Sequence, residues 1–250
     1  MTRDEQWLLD EKYAGKETAA YEIDKKRLAS SEPLGYVIGW QPFLGLKIHL
    51  DSKPLIPRPE TEWWAEQLLT HVGRRTSYMG FLDLCAGSGA IGCAILSKLR
   101  NAQVYFGEID PAHKATIQKN IRENNLDAAR ADIRIGDLFE PFSGMQFNVI
   151  AVNPPYIPAG RVLPESVALY EPARALYSGA DGLDTIRRIA KELPKYLSKD
   201  GEAWIECDSS QAEETQRIFA TRGLLAEIRT DQYGKPRIIY VSTKPKIIGI

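Results

Sequence analysis

The sequence predicts an α/β fold in which helices cover both faces of a doubly wound, mostly parallel β-sheet. From residue 81 onwards, short apolar runs alternate with amphipathic helical segments, which is the rhythm of strand–helix–strand units. A glycine-rich turn follows the first of these apolar runs, as it does in nucleotide-binding folds. The last two apolar runs have no helix between them, so we expect a terminal hairpin whose last strand runs antiparallel.

The first part of the chain follows a different pattern. Residues 3–31 are polar and compatible with helices, and Pro33 ends that pattern. Apolar runs at Tyr36–Ile38 and Leu46–Leu50, separated by glycines and a proline, predict two short strands around a turn. The proline-rich, acidic segment from Pro57 predicts the start of a helix. We therefore expect a short N-terminal helical segment (1–32), a β-hairpin linker (33–57) and a main α/β domain (58–250).

The elements of the main domain follow from the apolar periodicity. The predicted strands are Phe81–Cys85, Val104–Glu108, Ile133–Ile135, Phe147–Val152, Ala203–Cys207, Leu224–Arg229 and Arg237–Val241. The predicted helices are Ala90–Arg100, Pro111–Asn125, Leu183–Leu197 and Gln211–Arg222.

Composition excludes few function classes but disfavours several. The formal net charge of −1 lacks the basic excess that dedicated nucleic-acid binders use to neutralise phosphates. The three cysteines form no CxxC pair and the three histidines no HxxxH pair, so we expect no metal site. The N-terminus lacks the apolar core of a signal peptide, and no apolar run is long enough to span a bilayer. We expect a cytoplasmic protein with no membrane contact and no direct nucleic-acid binding.

The turn after the first strand predicts a cofactor site. Gly87, Gly89 and Gly92 form a GxGxxG pattern, and Glu108 ends the next strand about 20 residues on. Glycines let the backbone approach a ligand closely, and a carboxylate at that strand end can accept both ribose hydroxyls. Nicotinamide dinucleotides and S-adenosylmethionine both fit this pattern. The residues assigned to the turn are Cys85, Ala86, Gly87, Ser88 and Gly89.

Asp83 favours S-adenosylmethionine over a dinucleotide. Its carboxylate precedes the turn, where it would repel an anionic pyrophosphate and attract the ammonium and sulfonium groups of S-adenosylmethionine. The structural alternative is an aspartate that caps the loop.

Two further acidic positions remain open from sequence. Asp110 is the rival of Glu108 for the ribose, although its position before Pro111 is more typical of a helix N-cap. Asp137 follows the third strand and can accept the adenine amino group, with Leu138 against the ring face. An ordinary turn aspartate is nearly as good an explanation of Asp137.

Asn153-Pro154-Pro155-Tyr156 follows an apolar strand directly and predicts the acceptor site. Ligands of open α/β sheets bind beyond the carboxyl ends of the strands. The Asn153 side-chain oxygen and the Pro154 carbonyl can each accept one N–H of a planar –NH2 group, while Tyr156 stacks on that group. Prolines stiffen the loop and offer no competing N–H donor. The structural alternative is a proline-rich surface turn without a role.

Together, Asp83–Gly89 and Asn153–Tyr156 resemble a class I amino-methyltransferase. The segments Pro33–Gly39, Phe43–Gly45 and Leu55–Glu62 closely resemble the HemK/PrmC family, which methylates the glutamine N5 of peptide chain release factors. The resemblance covers about residues 33–241, and its combination of LIPRPETE with NPPY is specific. Further matching segments are Tyr170–Pro172, Ala175–Leu176, Gly179–Leu183 and Ile186–Ile189.

The resemblance implies a seven-stranded, Rossmann-like class I methyltransferase sheet, S-adenosylmethionine as cofactor and a release factor as protein substrate. The glutamine of a Gly-Gly-Gln loop would enter at Asn153–Tyr156, with Arg58–Glu62 bordering the pocket. The residues then assigned to catalysis are Asn153, Pro154 and Tyr156. Those assigned to substrate binding are Asn153, Pro154, Pro155 and Tyr156. Those assigned to the cofactor are Asp83, Cys85, Ala86, Gly87, Ser88, Gly89, Glu108, Asp137, Leu138 and Asn153.

The chain departs from the family pattern in three places. About 32 residues precede the match, where bacterial members carry a longer helical domain that grips the release factor, so we expect weaker or rearranged docking. Cys85 and Ala86 replace the first glycine of the cofactor loop and its neighbour. Glu108 stands where an aspartate is usual. We expect cofactor binding to survive these changes.

Three other functions compete with this hypothesis. The first is N6-adenine or other amino-methylation of a nucleic acid, since adenine presents a similar –NH2 group. The second is a nicotinamide-dependent oxidoreductase, against which Asp83 and the proline-rich motif argue. The third is a binding module without catalysis.

Overall fold

A computed structural model of the protein describes residues 1–75, 77 and 79–243. Its helices are α1 (Arg3–Tyr13), α2 (Ala19–Ala29), α3 (Leu34–Ile38), α4 (Pro59–Val72), α5 (Ala90–Lys98), α6 (His113–Glu123), α7 (Glu165–Ala168), α8 (Ala173–Leu176), α9 (Asp184–Tyr196) and α10 (Ala212–Ala220). Its strands are β1 (Trp40–Phe43), β2 (Leu46–His49), β3 (Met79–Leu84), β4 (Ala102–Glu108), β5 (Ala131–Ile135), β6 (Phe147–Val152), β7 (Leu197–Glu206), β8 (Leu225–Thr230) and β9 (Pro236–Ser242).

The main sheet has seven strands in the order β5-β4-β3-β6-β7-β9-β8. Strands β3 to β7 pair in parallel, and β9 runs antiparallel to both β7 and β8. The predicted doubly wound sheet with an antiparallel last strand is therefore confirmed. The direction of winding reverses between β3 and β6, and ligands of such sheets bind at that reversal, beyond the carboxyl ends of the strands.

The strand register brings the predicted motifs to one edge. Leu84 of β3 pairs with Val152 of β6 on one side and with Gly107 of β4 on the other. The glycine turn begins directly after Leu84, Asn153 directly follows Val152, and Glu108 directly follows Gly107. Central strands buried on both faces read as continuous apolar runs, which explains why the sequence located them.

The two faces of the sheet carry separate hydrophobic clusters because side chains alternate along a strand. Phe81 and Phe106 pack beneath α4, α5 and α6 on one face. Leu82 and Ile150 pack beneath α9 and α10 on the other.

The N-terminal helices form a smaller cluster of their own. Leu8, Tyr21 and Val37 are buried against one another, where α1 and α2 meet α3. Asp24 of α2 accepts hydrogen bonds from Lys12 at 2.6 Å and from the Tyr13 hydroxyl at 2.7 Å, which fastens α1 to α2.

The strand expected at Tyr36–Ile38 is wrong, because these residues belong to α3. Pro33 and Gly39 bracket this short helix, and Gly39 ends it with a φ of +96°. Burial of Val37 against the N-terminal helices outweighs the strand preference of this aromatic and β-branched run. The hairpin begins later, with β1 paired antiparallel to β2.

The hairpin is held by α6. The Asn120 side chain accepts the backbone N–H of His49 at 2.7 Å, and Asn124 accepts that of Lys47 at 3.0 Å. Their side-chain amides donate back to the carbonyls of the same two residues. Asn120 also donates to the Ser88 carbonyl at 2.9 Å, so the same residue steadies the glycine turn.

Candidate active site

A cavity of about 290 Å³ opens at the carboxyl edge of β3, β4, β5 and β6. Of the predicted site residues, it is lined by Cys85, Gly87, Glu108, Asp137, Leu138, Asn153 and Pro155. Asp83, Ala86, Ser88, Gly89, Pro154 and Tyr156 do not line it. Lining residues to which sequence reasoning gave no role include Ile109, His113, Arg174, Tyr177, Thr185 and Arg188.

The glycine turn has the backbone conformation that its sequence predicts. Gly87 and Gly89 have φ values of +55° and +75°, and Cys85 adopts +61° although it is not glycine. A Cβ added at Gly89 would lie 3.1 Å from Ile117, which leaves little space for a larger residue. The Cys-Ala-Gly-Ser-Gly turn thus keeps a left-handed residue at the first position, at some conformational cost.

Glu108 fastens this turn from the neighbouring strand. Its buried carboxylate accepts the backbone N–H of Gly87 at 2.7 Å on one oxygen and that of Asp110 at 2.8 Å on the other. A carboxylate oxygen has about two lone-pair sites, so each oxygen retains one acceptor position. Glu108 can therefore hold the turn and still accept two hydroxyls.

Asp83 lies beneath the turn. It shares the face of Phe81, which packs under α5, and its Oδ2 accepts the Gly92 N–H at 2.8 Å in the first turn of that helix. Burial raises the pKa of the Asp83 carboxyl to about 8, against the opposing effect of the Gly92 hydrogen bond. The structure thus contains the capping contact that was the alternative for this residue. Attraction of a cationic cofactor stays a prediction.

The third strand contributes Asp137 and Leu138. Asp137 accepts a hydrogen bond from the Arg188 guanidinium at 2.6 Å, and this contact raises the pKa of Arg188. Leu138 has a φ of +49°, so a second residue that is not glycine occupies the left-handed region at this cavity. Backbone strain of this type clusters at ligand sites.

Asp110 has the local contact expected of an N-cap. Its Oδ1 accepts the backbone N–H of Ala112 at 2.9 Å, just before α6. Its other oxygen lies 3.8 Å from Arg174 across the cavity mouth. These contacts favour Glu108 over Asp110 for the ribose.

The acceptor motif is anchored by a buried carboxylate that sequence reasoning missed. Asn153 donates from its side-chain nitrogen to Thr61 Oγ1 at 3.2 Å, and Thr61 donates to Glu206 Oε2 at 2.6 Å. Trp64 donates to the same oxygen at 2.7 Å. Tyr156 donates to Glu206 Oε1 at 2.9 Å, and burial together with this carboxylate raises the Tyr156 pKa.

This network relates the LIPRPETE and NPPY segments. Thr61 lies in the first turn of α4, which begins at Pro59 as the prolines predicted. Arg58–Glu62 therefore serves both as a helix start and as a support for Asn153. Glu206 ends an apolar strand, as Glu108 does, and that shared position was the available sequence signal.

The rim of the cavity is braced by Glu171. This buried carboxylate pairs with Arg58 and accepts the Ile56 N–H at 3.2 Å. Tyr36 donates to the Pro54 carbonyl at 2.8 Å. The contacts of Glu171 with Arg58 and Ile56 hold the segment before α4 against the segment that follows Asn153–Tyr156. This second segment includes Pro172, which lines the cavity.

None of the predicted site residues lines either of two other hollows found among the described residues. One of them, a hollow of about 400 Å³ between α4 and the β8–β9 hairpin, shares none of the cavity's lining residues. No group of three or more His, Cys, Asp or Glu side chains within the described ranges is arranged to hold a metal ion. None of the described helices has the length and apolar character that a bilayer span requires.

Comparisons with known proteins agree with this geometry. Residues 64–168 match the family model of the Methyltransferase small domain. The chain is 31% identical over 236 residues to a release factor glutamine methyltransferase of Chlamydia trachomatis, covering 93% of this chain and 80% of that one. It is 38% identical over 199 residues to the enzyme of that name from Geobacter sulfurreducens, covering 79% and 68%.

The fold also matches that of solved methyltransferases. A methyltransferase structure from Pyrococcus furiosus superposes with a TM-score of 0.56 at 14% identity, covering 90% of this chain and 100% of that one. At this identity the likeness concerns the fold alone, which is the Rossmann-like class I methyltransferase fold. Through its curated relatives, the chain belongs to the release factor glutamine methyltransferase family.

Proposed function

We propose that this protein transfers a methyl group from S-adenosylmethionine to the side-chain amide nitrogen of the glutamine in a release factor's Gly-Gly-Gln motif. The observation that carries the proposal is the orientation of Asn153 at the tip of β6. Its side-chain nitrogen donates a hydrogen bond to Thr61, and its Oδ1 has no hydrogen-bond partner among the described residues. Asn153 also lines the cavity.

The residues of the cavity fit S-adenosylmethionine, which when bound supplies an electrophilic methyl group. The two free acceptor positions of Glu108 suit the two ribose hydroxyls. Asp137 retains one oxygen outside its pair with Arg188 for the adenine amino group, beside Leu138. The turn from Cys85 to Gly89 would pass along the cofactor.

The charges of the cavity support a cationic rather than an anionic ligand. Among its described lining residues, Arg188 pairs with Asp137, and Arg174 lies 3.8 Å from Asp110. The pyrophosphate of a nicotinamide dinucleotide would therefore meet basic groups that are already engaged, next to Glu108. Asp83 behind the turn adds to this preference when it is ionised.

The chain's own contribution to the reaction is to orient the amide. In this proposal Asn153 Oδ1 accepts one N–H of the glutamine side chain. The Pro154 carbonyl is the acceptor predicted for the other N–H, although Pro154 is not among the residues that line the cavity. The amide nitrogen would then face the methyl group and form the new N–C bond as the S–CH3 bond breaks. The electron pair of the broken bond would return to sulfur, which leaves S-adenosylhomocysteine, and one N–H proton would pass to water afterwards. Such positioning can lower a barrier by roughly 7–11 kcal/mol, and preorganised dipoles add to this.

The test is methyl transfer from labelled S-adenosylmethionine to a purified release factor. Label on the Gly-Gly-Gln peptide, absent when that glutamine is replaced by alanine, would support the proposal. Asn153→Ala should lose most of the activity, and it should lose much less affinity for S-adenosylhomocysteine than activity. Label that appears in nucleic acid and not in the release factor would favour the alternative substrate class, and a folded protein that labels neither would favour a binding module.

A further inference from the structure

We infer that Glu206 is a positioning residue which acts through Thr61 to fix the orientation of the Asn153 side-chain amide. The inference rests on the proposed acceptor role of Asn153. It assigns a function to a buried carboxylate on β7 that the transfer reaction itself does not touch. The structural alternative is that Glu206 only ties together the segments packed around it.

Three side chains donate hydrogen bonds to Glu206. Thr61 and Trp64 both donate to Oε2, and Tyr156 donates to Oε1. An indole N–H can only donate, so the oxygen that faces Trp64 must act as an acceptor. Glu206 is only 1% exposed, and the three donors replace the water that its carboxylate loses on burial.

The direction of each remaining hydrogen bond then follows. Thr61 donates its hydroxyl proton to Glu206 at a short distance of 2.6 Å. Toward any other group, its hydroxyl oxygen can therefore act only as a hydrogen-bond acceptor. Asn153 must therefore present its –NH2 group to Thr61, from which it lies 3.2 Å away. The amide oxygen of Asn153 is thus directed to the opposite side.

This direction matters because the two ends of an amide are nearly the same in shape and opposite in hydrogen bonding. With its oxygen toward the substrate, Asn153 accepts an N–H of glutamine and disfavours the carboxylate of glutamate. With the amide rotated by 180°, the Asn153 –NH2 group would face the –NH2 group of glutamine, where neither can accept. It would instead donate to the carboxylate of glutamate and so favour glutamate. The Glu206–Thr61 relay therefore contributes to the choice between these two side chains.

The three residues come from separate parts of the chain that meet at one edge. Val152 pairs with Ile205 in the parallel register of β6 and β7, and Asn153 and Glu206 each follow by one residue. Thr61, which is 4% exposed, reaches this point from the first turn of α4. The relay is thus set by the backbone of three elements.

The first pair of variants is Thr61→Val, which keeps the shape and removes the hydroxyl, and Thr61→Ser, which keeps the hydroxyl. We expect Thr61→Val to lower kcat by roughly 10- to 100-fold, the scale of a misplaced reacting group. Affinity for S-adenosylhomocysteine should be unchanged in both variants. Thr61→Ser should restore most of the rate. Equal kcat in Thr61→Val and the unaltered protein would overturn the relay.

A second readout separates positioning from general loosening. A release factor with glutamate in place of the acceptor glutamine serves as a competitive inhibitor, and its affinity is compared with that of the glutamine form. We expect Thr61→Val to reduce the preference for glutamine several-fold and Thr61→Ser to retain it. Equal weakening of both forms would mean that Glu206 and Thr61 only hold the structure together.

Glu206→Gln tests the direction of the relay. Because Trp64 can only donate, the new amide should keep its oxygen toward Trp64 and Thr61 and place its –NH2 toward Tyr156. The preference for glutamine should therefore survive in this variant, even if the altered Tyr156 contact lowers kcat. Loss of the preference in Glu206→Gln, together with its retention in Thr61→Val, would contradict a relay through Thr61.

A final measurement does not depend on methyl transfer. The Asn153 side-chain –NH2 signals, assigned in an NMR spectrum by their loss in Asn153→Ala, should be protected from hydrogen exchange in the unaltered protein and in Thr61→Ser. They should lose protection in Thr61→Val. Equally fast exchange in all three proteins would overturn the relay. If no release factor is methylated, the proposed function fails, and this measurement still decides the relay.

Discussion

The backbone of Gly92 lies so close to the ring of Phe106 that an added Cβ would come within 2.7 Å of the ring's Cζ. Gly92 is the last glycine of the GxGxxG pattern and lies in the first turn of α5, whereas Phe106 belongs to the adjacent β4. This glycine therefore serves helix–strand packing, while Gly87 and Gly89 shape the turn itself.

Replacement of Gly92 by alanine should destabilise the protein. Overpacking of a core typically costs about 1–3 kcal/mol, and the better helix propensity of alanine returns at most about 1 kcal/mol. Urea unfolding would measure the difference. Gly160→Ala is the matched control, because a Cβ at Gly160 meets no atom within 4 Å and should change stability by less than about 0.5 kcal/mol. Equal stability of the two variants would contradict the packing role.

Asp83 should make the cofactor-free protein less stable as the pH rises. Its carboxyl has an ordinary pKa of 3.8, and burial raises it to about 8 in the folded protein. The folded form thus retains a proton that the unfolded chain has lost, so the free energy of unfolding falls between about pH 4 and pH 8. Asp83→Asn keeps an acceptor for Gly92 and cannot ionise. Urea unfolding near pH 5 and near pH 8 should show the smaller decline in the variant, and identical declines would refute the assignment.

The same variant tests whether Asp83 favours a cationic cofactor. S-adenosylmethionine carries a sulfonium charge that S-adenosylhomocysteine lacks. Above pH 8, where the Asp83 carboxyl with its pKa of about 8 is ionised, we expect Asp83→Asn to lose more affinity for the first ligand than for the second. The difference should be on the order of tenfold, which corresponds to about 1.4 kcal/mol. Calorimetric titration would measure both affinities. Equal losses would mean that Asp83 only caps α5.

Glu202 should stabilise the protein except in acid. Burial raises the pKa of this carboxyl, but the hydrogen bond from His71 and the charges of His71 and Arg75 outweigh burial and lower it to about 2. The contribution is complete above the ordinary value of 4.5 and is lost as the pH falls from there toward 2. Glu202→Gln should therefore show a flatter decline in unfolding free energy over this range. Glu66→Gln, at an exposed position, should decline as the unaltered protein does.

The Arg58–Glu171 pair should matter for both stability and cofactor affinity. Arg58→Met leaves the carboxylate of Glu171, whose side chain is only 1% exposed, without its charged partner. Loss of a hydrogen bond to a charged group costs about 1.5–3 kcal/mol. The segment from Pro172 to Tyr177 lines the cavity, so S-adenosylhomocysteine should also bind more weakly. Arg58→Lys should lose less stability and less affinity for S-adenosylhomocysteine than Arg58→Met. An unchanged affinity in Arg58→Met would mean that the Arg58–Glu171 pair stabilises the fold without affecting the cofactor site.

The sequence by itself determined the sheet and the edge of the sheet at which the candidate site residues meet. Central parallel strands are buried on both faces, so they appear in the sequence as continuous apolar runs that can be recognised without knowledge of the fold. The glycine turn, Glu108 and Asn153 follow such strands directly, and the carboxyl ends of parallel strands meet at one edge. Local patterns therefore sufficed to bring these residues together.

Only the tertiary structure decided which polar groups support them. Glu206 meets Thr61 across 145 residues of chain, and Glu171 meets Arg58 across 113. No local pattern records such a pair, because a buried carboxylate is satisfied by whichever donors the packing brings to it. The helix at Tyr36–Ile38 has the same origin, since burial of Val37 against α1 and α2 overrode the local strand preference.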